Sequence, residues 1–156
     1  LTGWLDAGVP MAIGSDSQIN RSWREELRWL DYGQRLVLRQ RNVSAAPAQG
    51  EPSTASRLWA TALQGGAQAA GQALWGLQAG ARADLLVVDT SDASVVGMPP
   101  DRLLDALVFS SPGRPWRDVM VAGHWRVSDH RQAGSEQRLA AFADAMHGLW
   151  SEASAA

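Results

Sequence analysis

The sequence predicts an α/β protein, and two stretches carry that reading. Within the first 41 residues a helix end, a short apolar run, a polar loop and an amphipathic helix follow one another, which is the order of a βα unit. Between residues 80 and 130 a strong strand signal and a hairpin read as mainly antiparallel. Length limits the architecture. A chain of 156 residues has the size of one ordinary domain and falls far short of the roughly 250 residues of a complete (β/α)8 barrel.

Leu1 to Gly8 reads as the last turn of a helix, with Gly8 where a left-handed C-terminal residue would stand. Val9-Pro-Met-Ala-Ile-Gly14 is a short apolar run without alternation, which predicts a strand buried on both faces of a parallel sheet. Pro10 lies near its start, where a missing N–H is tolerated. Ser15 to Asn20 is a polar loop. From Trp23 to about Arg41 the spacing of Leu27, Leu30, Leu36, Val37 and Leu38 predicts one amphipathic helix. Glu25 and Glu26 in its first turn and Arg39 and Arg41 in its last suit the helix dipole.

Asn42 to Pro52 is a connection. Thr54 to Gly71 reads as a helix weakened by Gly65-Gly66. Ala83-Asp-Leu-Leu-Val-Val-Asp89 is a strand bounded by aspartates, with Asp84 and Asp89 as turn or capping residues. Asp101 to Phe109 predicts a short helix, and Val119 to Ser128 a hairpin turning at Ala122-Gly123-His124. Gln137 to Trp150 predicts a closing amphipathic helix, with a frayed tail from Ser151.

Composition excludes several classes. Hydrophobic residues at 46% and charged residues at 19% are a globular mixture. With no cysteine there is neither a disulfide framework nor a thiolate metal site. All 14 basic residues are arginine and the net charge is −2, so no basic footprint for nucleic acid exists. No window reaches the ~20 apolar residues of a membrane span, and the expectation is a soluble cytoplasmic protein. The eight tryptophans share no period and suit packing contacts rather than a binding platform.

Catalytic promise is confined to Gly14-Ser15-Asp16-Ser17. An acidic residue just past the C-terminal end of a buried parallel strand stands where α/β enzymes put reactive groups, with Gly14 letting the backbone turn. By position alone, Asp16 fits better as a cap of the next helix or a turn on itself.

Gly14-Ser-Asp-Ser-Gln18, followed by Glu25-Glu-Leu-Arg-Trp-Leu-Asp-Tyr-Gly-Gln-Arg35, resembles the formimidoylglutamate deiminase family of the amidohydrolase superfamily. The likeness continues through Gly80-Ala-Arg-Ala-Asp-Leu-Leu-Val-Val-Asp89, which is generic to the superfamily, and Arg117 to Val127, its closing hairpin. The resemblance implies the C-terminal part of a metal-dependent (β/α)8 barrel with strands of the accompanying small β-sandwich. Residues 1–41 would be the last strand–helix unit and 42–79 a linker and returning helix. Residues 80–134 would be sandwich strands and 135–156 a C-terminal helix and tail.

The implied reaction is hydrolysis of N-formimino-L-glutamate to N-formyl-L-glutamate and ammonia in histidine degradation. The implied cofactor is one divalent metal, with zinc first, which lowers the pKa of a bound water to about 7. Asp16 would bind that metal and take the water's proton, while Ser17 and Gln18 would fix the carboxylate's orientation. The implied partner is a small-molecule substrate, with neither nucleic acid nor membrane, and the resemblance allows a homodimer. Other substrates within the superfamily and a non-catalytic truncated paralogue remain alternatives.

The family also needs a His-x-His pair, a further metal histidine and a catalytic Glu and His. His124, His130 and His147 are the only histidines and read as surface or packing residues. The expectation is thus a C-terminal fragment beginning near the seventh barrel helix, inactive and aggregation-prone alone.

Overall fold

The structure is a computed structural model that describes residues 1–16, 21–110 and 113–154, with the side chains of Glu152 and Ser154 left aside. The chain divides into two compact units. The first comprises residues 1–82 and 89–115, the second 83–88 and 116–156.

The first unit is helical. Helix α1 (Thr2–Asp6) ends as expected before Gly8, whose φ is +66°. Helix α2 (Trp23–Leu38) begins where anticipated but stops three residues earlier. Arg39 takes a left-handed φ of 54° and its N–H closes on the Arg35 carbonyl. The buried face of α2 is Arg24, Leu27 and Asp31, an i, i+3, i+7 stripe. Leu36 and Val37, expected to continue that stripe, are three-quarters exposed.

Helix α3 (Thr54–Ala69) runs straight through Gly65-Gly66. Its N-terminal N–H groups are satisfied twice: the Ser53 hydroxyl accepts from Ser56 N–H at 3.0 Å, and Asp105 Oδ1 accepts from Ala55 N–H at 3.0 Å. The expected helix over residues 101–109 is composite. A 3₁₀ turn (Pro100–Arg102) leads into one α turn, α4 (Leu103–Asp105), and then a π turn (Ala106–Ser110).

The π turn is stabilised from α2. Arg28 Nε donates to the Val108 carbonyl at 2.6 Å and Arg24 donates to that of Leu107 at 3.4 Å. Arg28 is therefore half-buried against main chain, not on a solvated helix face. Burial, with Arg28 and then Arg114 nearby, pushes the Arg24 guanidinium below its ordinary basicity.

The core of this unit is Leu5, Leu27, Ala55, Leu58 and Val108. Met11, Ile13, Trp23 and Trp59 pack around it, with the Trp23 and Trp59 rings 4.3 Å apart between centroids.

Residues 9–14 form no strand, which corrects the expectation. A parallel strand needs a ladder on each edge, and no described residue supplies one. Nor is the run covered on both faces: Met11 and Ile13 are half-buried on the core while Pro10, Ala12 and Gly14 are exposed.

The second unit holds a three-stranded antiparallel sheet in the order β1 (Leu85–Val88), β2 (Trp116–Val121), β3 (His124–Val127). Leu85 faces Met120, and Val119 faces Val127. Ala122 and Gly123 both have positive φ, 50° and 79°, so the hairpin closes in two residues as a type I′ turn. Asp84 Oδ1 accepts from Ala122 N–H at 2.8 Å, holding that turn to the start of β1. Helix α5 (Ser135–Ser154) is longer than anticipated. Of its side chains only Ala143 and Met146 are half-buried, so it does not pack as expected among the described residues.

Asp118 ties the hairpin ends together. Its carboxylate accepts from Asp129 N–H at 2.9 Å and from Arg117 Nε at 2.7 Å. These bonds, the backbone one first, hold it below the ordinary aspartate range. A depressed folded pKa stabilises above the unfolded value and is lost as pH falls through the folded one. The Asp118 carboxyl-carbon resonance is therefore expected to titrate below the usual aspartate pKa of about 4. Titration at the ordinary value would contradict the bond.

Candidate functional site

The segment Gly14-Ser15-Asp16 leaves the core directly after Ile13. The turn falls at Asp16 rather than at Gly14: Asp16 has φ +39°, whereas Gly14 is not in the left-handed region. Aspartate enters that region more readily than most residues because its short side chain can satisfy nearby main chain. The carboxylate is exposed. A non-glycine residue held with positive φ costs of order 1 kcal/mol, and such strain concentrates at functional sites.

Ser17 and Gln18 lie outside the described residues, so their role beside Asp16 has no geometry here. His124, His130 and His147 are exposed. Asp89 closes a local turn, accepting from Ser91 N–H at 2.9 Å.

A carboxylate is a suitable hard donor for a divalent cation, but one ligand cannot complete a four-coordinate site. Among the described residues no group of three or more His, Cys, Asp or Glu could hold a metal ion. The described residues therefore do not make a metal site by themselves.

Among the described residues of the first unit are a larger and a smaller cleft. The larger, of about 520 Å³, lies along the end of α2 and is lined by Trp29, Tyr32, Arg35, Leu36, Arg39 and Arg41. The smaller, of about 280 Å³, lies beside Asp31, Asn42, Thr54 and Asp105. Asp16 lines neither.

Sequence reasoning assigned no role to three residues that pack within the first unit. Arg57 is buried on α3 and reaches Asp6 Oδ1 at 3.0 Å and the Ser44 carbonyl at 3.3 Å. Asp31 is only 2% exposed, with Arg35 at 3.9 Å and Oδ1 without a hydrogen-bond partner among the described residues. Gly65 lies against the main chain of Met11. A polar residue inside an apolar helical stripe was the available signal for the first two, and a glycine inside a helix for the third.

No family model matches the chain. Over 141 residues, 90% of its length, it is 47% identical to the formimidoylglutamate deiminase of Pseudomonas aeruginosa, of which it spans 31%. The crystal structure of an amidohydrolase from Brucella melitensis superposes with a TM-score of 0.81 at 36% identity, covering 96% of this chain and 32% of that one. The chain thus spans about a third of the length of each of these proteins. It is homologous to a stretch of a formimidoylglutamate deiminase and carries the fold of a stretch of an amidohydrolase.

Proposed function

We propose that this chain is the C-terminal part of a metal-dependent deiminase that hydrolyses N-formimino-L-glutamate to N-formyl-L-glutamate and ammonia. The observation that carries the reading is the 47% identity to formimidoylglutamate deiminase across nine-tenths of the chain. Residues 1–41 supply the last strand–helix unit of the barrel and residues 80–134 strands of the small β-sandwich. The segment before Asp16 supports this. Met11 and Ile13 turn to the helices while Ala12 and Gly14 are exposed, as in a barrel strand with helices on one side and the barrel interior on the other.

In this reading water adds to the formimino carbon, the carbon–nitrogen bond to the terminal nitrogen breaks, and that nitrogen leaves as ammonia while a formyl carbonyl forms. Asp16 takes up the proton of the attacking water on one carboxylate oxygen. Asp16 would also be one of the residues holding a divalent metal, zinc in the first instance, which would supply an acidified water; the other ligands would come from residues beyond those described. The chain alone therefore turns nothing over.

The test is ammonia release by the full-length gene product from formiminoglutamate, compared with guanine and with simple amidines. A strong preference for formiminoglutamate is expected. Equal or better rates with another amidine or with guanine would overturn the substrate, and no release from any of them would overturn the enzyme reading.

A further inference from the structure

We propose that Gly65 is a positioning residue for Asp16: its missing side chain lets α3 lie directly on the main chain at Met11, and that contact sets where the carboxylate five residues later stands. The inference rests on Asp16 carrying the chemistry proposed above. Its geometry is independent of that reading.

A Cβ built on Gly65 would fall on the Met11 carbonyl oxygen and stand 2.6 Å from the Met11 nitrogen. Real side chains do not approach main chain so closely, and neither partner is a flexible tip that could swing away. Gly66, the next residue of the same helix, has nothing within 4 Å of such an atom. Glycine also costs a helix interior about 1 kcal/mol relative to alanine. Gly66 has no packing reason for that cost; Gly65 does.

In the intact barrel a ladder on each edge would order residues 9–14, and helix α3 supplies the layer on which that stretch rests. Helix α3 holds this stretch at two points. Arg57 grips Asp6 at 3.0 Å before the segment, and Gly65 meets Met11 within it. The two points are eight residues apart on α3, about 12 Å along its axis. The helix is itself anchored at its N-terminus by Ser53 and Asp105. A displacement of Met11 by even 1 Å passes down five residues to a carboxylate whose distance to its reacting partners matters at that scale.

The experiment compares Gly65→Ala with Gly66→Ala in the full-length protein, reading zinc affinity by chelator competition together with kcat and KM. Gly65→Ala is expected to weaken zinc binding at least tenfold and lower kcat at least a hundredfold, with KM within threefold. Gly66→Ala should leave all three within twofold. A folded Gly65→Ala protein with unchanged zinc affinity and kcat overturns the proposal. Should Gly65→Ala fail to fold, Asp6→Asn removes the other grip at an exposed carboxylate. It is expected to weaken zinc binding two- to fivefold, and no change overturns the two-point account. Asp16→Asn serves as reference. If it too keeps zinc and turnover, the role of Asp16 fails; if it alone loses them, only the positioning by Gly65 fails.

Discussion

Asp16→Asn in the full-length protein lowers kcat by about a thousandfold, the middle of the range for losing a general base, while the protein stays folded. Asparagine is the more decisive substitution than alanine because of the backbone. At φ +39° asparagine is as comfortable as aspartate, whereas alanine adds a conformational cost of about 1 kcal/mol. Asp16→Ala therefore mixes lost charge with strained main chain, and Asp16→Asn isolates the charge. The substitution removes the negative charge a cation would need and the basicity a proton would need, and leaves the shape. Single-turnover measurements of ammonia release, with enzyme in saturating excess over substrate, read the effect without product release. A wild-type rate from Asp16→Asn would leave this chain with no proposed chemical role.

Much of the second unit was legible in the sequence because its signals are local. The apolar run at residues 85–88 and the Ala122-Gly123 step are each read from a few adjacent residues, and the register of the β2–β3 hairpin follows from pairing chain neighbours. Helix α2 was legible at its start for the same reason, since Glu25 and Glu26 mark its first turn. The candidate site was legible as a residue, Asp16, through its resemblance to a known motif, and not as a geometry.

What escaped reading depends on residues far apart in the chain. A strand at residues 9–14 is a property of its neighbours as much as of its own apolar run, and the described residues offer none. Leu36 stands nine residues after Leu27, which at 3.6 residues per turn puts it on the opposite side of α2, and it is three-quarters exposed among the described residues. Periodicity reports which face is apolar; it does not report whether a partner sits on it. The π turn at Ala106–Ser110 rests on two arginines some 80 residues earlier. Gly65 read as a weakness in a helix because the approach of Met11, 54 residues before it, leaves no trace in the local pattern.

Leu58→Ala is expected to destabilise the first unit by about 3 kcal/mol, within the 2–5 kcal/mol seen for fully buried leucines. Leu36→Ala, the same change of atoms, should cost less than about 0.5 kcal/mol. The difference lies wholly in surroundings. Leu58 is 1% exposed and packs among Leu5, Leu27, Ala55 and Val108, so its loss removes buried apolar area and leaves a hole that α1, α2 and the π turn cannot all close. Leu36 is 76% exposed and gives up little area. Pulse proteolysis of the 156-residue chain across a urea series measures both, and needs only a small soluble fraction. If Leu36→Ala costs as much as Leu58→Ala in this chain, the face of α2 around Trp29 and Leu36 is covered in solution. If it is silent in the chain yet costly in the full-length protein, the apolar end of α2 is packed by residues outside this polypeptide. The latter contrast is the physical signature expected of a barrel helix seen without its neighbours.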